Sequence, residues 1–215
     1  MSKFSLATAA ALVAVAGTTA SAAKNPNPAT LQSHDGAISI TDVSSAVTGT
    51  RANTVVVDLS GVSVYGGTNV GDDGYFNPLN AVFNVPLSAG AHIIGVGWDV
   101  NFQAFSPSWR SEVTIAFEDS PRNEGIFLTP SNENSAGAHA SASPIVDLIG
   151  LGIDFFLLPD GILRVQAFDS YSDFGPNNPD AVFGQGSIVT IEWVPAPGAF
   201  ALLGLGGLAA TRRRR

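Results

Sequence analysis

The chain contains no cysteine, has little positive charge, and shows no convincing amphipathic helical pattern in its body. Without cysteine there is no disulfide, so the fold has to rest on its core. A body of about 175 residues can do this, because a domain of that size buries roughly 70% of its chain surface. Basic residues number 10 against 18 acidic ones, and Lys3 and Arg212 to Arg215 all lie near the ends. Setting those five aside takes the formal charge from -8 to -13 and leaves Lys24, Arg51, Arg110, Arg122 and Arg164 as the body's cations. A surface this acidic repels nucleic acid and anionic lipid, attracts cations and favours solubility. Only His34, His92 and His139 are available as imidazoles, and none sits in a zinc or nucleophile-elbow motif. An enzyme is not expected.

What the body does contain is two-residue periodicity. Ile94, Val96, Trp98, Val100 and Phe102 alternate with Gly95, Gly97, Asp99 and Asn101, which assigns one set to a core face and the other to solvent. Val113, Ile115 and Phe117 alternate with Glu112, Thr114 and Glu118, and this places both glutamates on a solvent face. Val189, Ile191 and Trp193 alternate with Thr190 and Glu192. Residues 55–59, 81–85 and 126–129 are shorter strand candidates, while 155–158, Pro159-Asp160-Gly161 and 162–168 read as strand, tight turn and strand. The expected fold is all-β, a single antiparallel β-sandwich over 23–193, jelly-roll-like, flanked by a helical signal peptide and a short hydrophobic helix.

The two ends read as addresses. Residues 1–22, MSKFSLATAAALVAVAGTTASA, give a basic Lys3, an apolar segment and small residues. That is the order of a secretory signal peptide, with Ala20 and Ala22 at the cleavage site and Ala23 as the new N-terminus. At the other end, residues 194–215 read VPAPGAFALLGLGGLAATRRRR. An uncharged 13-residue stretch there would extend about 20 Å as a helix against a hydrocarbon core of about 30 Å. Its glycines weaken it further, and Arg212, Arg213, Arg214 and Arg215 would be held on the cytoplasmic side. Such a segment suits transient anchoring followed by removal. Val194, Pro195, Ala196 and Pro197, followed by the apolar stretch and the arginine cluster, resemble a PEP-CTERM sorting signal. The resemblance implies an exosortase substrate of Gram-negative bacteria, exported by way of signal peptidase and handed to an exosortase-type enzyme. It implies delivery to the cell surface or extracellular matrix, often beside exopolysaccharide, with membrane contact through the C-terminal segment alone. The family's usual glutamate between the prolines is Ala196 here, a departure that bears on cleavage. Residues 97–115, GWDVNFQAFSPSWRSEVTI, and the later DGILRVQAFDSYSDF and PDAVFGQGSIVTIEW are similar to β-sandwich bodies that precede such signals.

Three loops hold the remaining candidates. Residues 66–80 are turn-rich and carry Tyr75; residues 130–144 are small and polar and read as a mobile loop. Residues 169–180, DSYSDFGPNNPD, offer Asp169, Asp173 and Asp180 as oxygen ligands of the kind calcium takes. They lack an EF-hand spacing, so solvated loop carboxylates without a cofactor are the expectation. Tyr75, Trp109 and Tyr171 could stack on sugars, although Trp109, beside Pro107 at a strand entry, reads more simply as a buried anchor. The chain is therefore expected to be a surface-sorted structural or adhesive protein without catalysis. A carbohydrate-binding, lectin-like module is the alternative, and a polysaccharide hydrolase comes third.

Overall fold

A computed structural model of the chain describes residues 29–33, 36–39 and 52–196. In chain order its first strands are β1 (Thr30–Ser33), β2 (Gly36–Ser39), β3 (Asn53–Asp58), β4 (Ser63–Val64), β5 (Val82–Pro86), β6 (His92–Ala104) and β7 (Val113–Asp119). There follow β8 (Gly125–Thr129), β9 (Gly137–Asp147), the single helical turn α1 (Leu148–Leu151), β10 (Phe155–Phe156), β11 (Ile162–Asp169), β12 (Ala181–Phe183) and β13 (Ile188–Val194). Every pairing is antiparallel, in two sheets. One sheet runs β2-β1-β8-β7-β11-β5; the other runs β3-β13-β6-β12-β4, with β9 and β10 also on β6.

The facing sides of the sheets make one apolar core. Leu31, Ile115, Phe117, Leu128 and Val165 come from the six-stranded sheet, and Val96, Trp98, Phe102, Phe183 and Ile191 from the other. Burying a side chain of this size contributes roughly 1.5–3 kcal/mol. The Trp98 indole N–H, the one polar atom of that ring, donates to Ser141 Oγ at 2.9 Å.

The alternation in β6 holds from Val96 onward and shifts phase before it. A bulge opposite Trp193 lets Ile93 join the core cluster, while Ile94 is buried outside it. Gly95 and Gly97 do not face solvent as the pattern predicts. A second bulge, in β9 at Pro144 and Ile145, lays that strand over them, and a Cβ on Gly97 would meet Ile145 N at 3.1 Å. Residues 137–144 of the loop predicted over 130–144 are thus part of a long strand, β9. Their alternation is carried by His139 and Ser141, which pack inward against Phe102 and Trp98.

The strand, tight turn and strand read at 155–168 are present, with the two strands in different sheets, whereas the shared solvent face read for Glu112 and Glu118 is overturned. The turn closes, with Gly161 N–H donating to Leu158 O at 2.9 Å, but β10 joins β6 while β11 joins β5 and β7, so the turn carries the chain from one sheet to the other. Glu112 lies in a 3-10 turn ahead of β7, and Glu118 within β7 is fully buried. Residues 1–22, read as a signal peptide, with Ala23, and Pro197 with Arg212 to Arg215, lie outside the described residues. Val194 ends β13, and Pro195 and Ala196 follow it. Among the described residues no helix is long and apolar enough to cross a membrane.

Candidate functional site

The outer face of the six-stranded sheet is not bare. Period two sends Ile115, Phe117 and Val165 to the core, so Thr114, Glu118, Arg164, Gln166 and Phe168 point the other way, and all five are buried. Much of their cover is the segment 65–80. Asn80 ties it together, accepting from Tyr65 N–H at 2.8 Å and donating to Tyr65 O and Gly74 O at 2.9 Å. Asn77 donates to Gly66 O at 2.7 Å and Pro176 O at 3.1 Å. Gly74 admits no side chain, since a Cβ there would lie 2.0 Å from Tyr65 O. Turn composition is what the sequence shows at 66–80; an ordered cover over a sheet is what those turns build.

Tyr75 is the inward anchor of this segment. Its hydroxyl donates to Glu118 Oε1. Arg164 Nη1 donates to the other carboxylate oxygen of Glu118 at 2.7 Å, and Arg164 Nη2 donates to Gln166 Oε1. A pair this buried needs such additional hydrogen bonds to offset its desolvation. Burial and the Glu118 carboxylate push the Tyr75 phenol well above its usual range, so it stays a donor. The Tyr75 ring meets Phe168 at 5.3 Å between centroids and Phe127 at 5.7 Å, nearly perpendicular to the latter. Arg122 stands over it at 5.1 Å and over Phe76 at 5.0 Å. Arg122 takes the left-handed conformation, φ 65°, in a turn whose Asn123 N–H donates to Asp119 Oδ1 at 2.7 Å.

Beside this wall opens a cleft of about 600 Å³, lined by side chains that include Thr30, Gln32, Tyr75, Thr129, Asn132 and Ser170. Phe127 and Phe168 continue the aromatic wall, and among the described residues that line it Asp73 is the only carboxylate. Desolvation raises the Asp73 carboxyl, opposed by the Tyr75 N–H that it accepts at 2.7 Å. Thr30 Oγ1 donates to Asn132 Oδ1 at 3.0 Å along the rim. A second hollow of about 420 Å³ lies by Ala138, Ala140 and Val182 on the other sheet, where Asn101 and Gln103 have their amides engaged with backbone carbonyls.

Of the three aromatic candidates, Tyr75 alone lines the cleft. Trp109 is 44% exposed and Tyr171 45%, both on loops at one end of the sandwich, so Trp109 is not the buried anchor its neighbourhood predicts. The reason is local. Its backbone N–H is held by Glu112 Oε2 at 2.6 Å, which fixes the turn and leaves the indole outside.

The acidic loop residues do come together, though not as solvated groups. Asp169 and Asp180 are fully buried, with Glu112 and Asp173 close by. Asp169 accepts from Tyr171 N–H at 2.9 Å and Ser108 Oγ at 3.1 Å; Asp180 accepts from Gly66 N–H at 2.7 Å and Asp173 N–H at 3.1 Å. Burial, with the charges of Asp180 and Glu112 added, pushes the Asp169 carboxyl up to about 8. Burial and Asp180 also raise Asp173. These carboxylates staple the loops 65–80, 105–112 and 170–180 to one another. Among the described residues no group of three or more His, Asp or Glu is arranged to hold a metal ion.

Sequence reasoning missed Glu118, Arg164 and Gln166. The available signal was Arg164 two residues before Gln166 inside an apolar strand, but its partner becomes visible only through the register that sets Arg164 opposite Glu118. No family model, curated protein or solved structure matches the chain.

Proposed function

We propose that the chain is an exported protein, sorted to the cell surface, that serves as a structural or adhesive component of the envelope or extracellular matrix without catalysis. The terminal segments supply the address: a signal peptide ending at Ala22 and a PEP-CTERM-like signal from Val194 to Arg215, processed by signal peptidase and an exosortase-type enzyme. Between them lies a β-sandwich with jelly-roll-like connections, and no cofactor is invoked. The observation that carries the adhesive reading is the loop end of the sandwich. Phe105, Trp109, Tyr171 and Phe174 are exposed there, on loops that the Asp169 and Asp180 staples hold together. Large apolar groups gathered on one end mark contact surfaces. The loops are tied by buried bonds, so little ordering is needed when a partner docks.

The test is a Trp109→Ser, Tyr171→Ser variant expressed in the native host. Surface protein of both wild type and variant should begin near Ala23 and lack Arg212 to Arg215 by intact mass. The variant should be shed from the matrix by a mild wash that leaves wild type attached. Retained arginines would reduce the tail to a plain anchor, and equal attachment would remove the aromatic end from the adhesive role.

A further inference from the structure

We infer that the cleft between Tyr75 and β1 is a binding site for a neutral glycan. Its volume, about 600 Å³, lies within the range of small-ligand sites. The chemistry of its lining selects the ligand. Thr30, Ser111, Thr114, Thr129 and Ser170 offer hydroxyls that can both donate and accept, and Gln32 and Asn132 add amides. A sugar presents the same mixture of short donors and acceptors around a ring whose C–H face is apolar. Tyr75, Phe127 and Phe168 supply the complementary apolar wall.

Charge points the same way. Among the described residues no lysine or arginine lines the cleft, and Arg122 and Arg164 are turned to the Tyr75 ring and to Glu118. With Asp73 in the lining and a net negative body, an anionic polymer would meet repulsion. A peptide is disfavoured on other grounds. The cleft floor is the face of a sheet whose backbone groups are already spent in the β1-β8-β7-β11 ladders, so no edge is offered for strand addition.

The site is also built before the ligand arrives. Tyr75 is fixed by its hydroxyl bond to Glu118, by two phenylalanine edges and by Arg122 above it, while Glu118 is held by Arg164. A wall set by buried groups loses little freedom on binding. This assignment rests on the surface-display reading, because an extracellular glycan must be met outside the cell.

The experiment titrates the purified chain with neutral oligosaccharides from dextran, mannan and cellulose, and with oligogalacturonate as the acidic counterpart. At least one neutral series should bind and perturb the side-chain amide signals of Gln32 and Asn132 in NMR spectra of the wild type. Gln32→Ala with Asn132→Ala should weaken that binding at least tenfold, with the melting temperature held. Trp109→Ala, at the loop end, should leave it unchanged. Binding of the acidic series alone, binding that survives the double variant, or shifts confined to the loop end would each overturn the assignment. So would the absence of any binding in the wild type. Retained terminal arginines on surface protein would instead count against the sorting reading and leave this result standing.

Discussion

Asp169 shows how far a single group can depart from the look of its surroundings. DSYSDF reads as a wet loop, yet the first aspartate is fully buried, and the one Ser108 hydroxyl proton is shared between it and Glu112 at 3.1 and 3.3 Å. Burial disfavours the Asp169 charge, with Asp180 and Glu112 adding repulsion, and that single proton cannot serve both carboxylates, so Asp169 holds a proton of its own more readily. Its folded pKa of about 8 stands above the ordinary value of 3.8. The native state then binds more protons than the unfolded chain between those values, and stability falls as pH rises through that window. Asp169→Asn, which mimics the protonated form, should flatten this dependence. It should be more stable than wild type by at least about 1 kcal/mol near pH 8.5 and no more stable near pH 5, by melting in matched buffers. Parallel wild-type and variant profiles would mean that Asp169 is not the group responsible.

At the scale of elements, what could be read depended on whether a strand's own side chains carry its packing. β6, β7 and β13 were legible because Val96, Trp98, Ile115, Phe117 and Ile191 alternate with small or polar groups. β9 was not: its inward positions are His139 and Ser141, and the bulk that makes them a core face belongs to Phe102 and Trp98 on the partner strand. Bulges were equally hidden, since Ile94 looks like one more member of its series until Trp193 is seen opposite the step. The candidate site divides in the same way. Tyr75 was visible as an aromatic in a turn-rich loop, whereas its support by Glu118 and Arg164 needed the register of two strands. Trp98→Ala should cost about 3 to 5 kcal/mol, because it removes a large core side chain and leaves Ser141 without its donor. Chemical denaturation reads this directly, and an unchanged midpoint would contradict the inward face of β6.

For the whole molecule the dominant fact is charge without disulfides: a net negative body held by its core and its hydrogen bonds. Such a surface gains stability from any salt through screening. Melting in calcium, in magnesium and in chelator at constant ionic strength should therefore give coincident curves. A calcium-selective rise abolished by Asp173→Asn would instead turn the Asp169, Asp173 and Asp180 cluster into a cation site, since a ligand bound only to the folded state raises its melting temperature. Melting in solution is one way to open this fold, and pulling on it is another. β13, the last strand before Pro195, lies inside its sheet, laddered to β3 along one edge and to β6 along the other. Tension applied after Val194 along the direction of that strand would load its ladder bonds on both edges together in shear, so that they would not be peeled off one at a time. A cell tethered through this end would strain a part of the protein that yields only when many bonds fail at once.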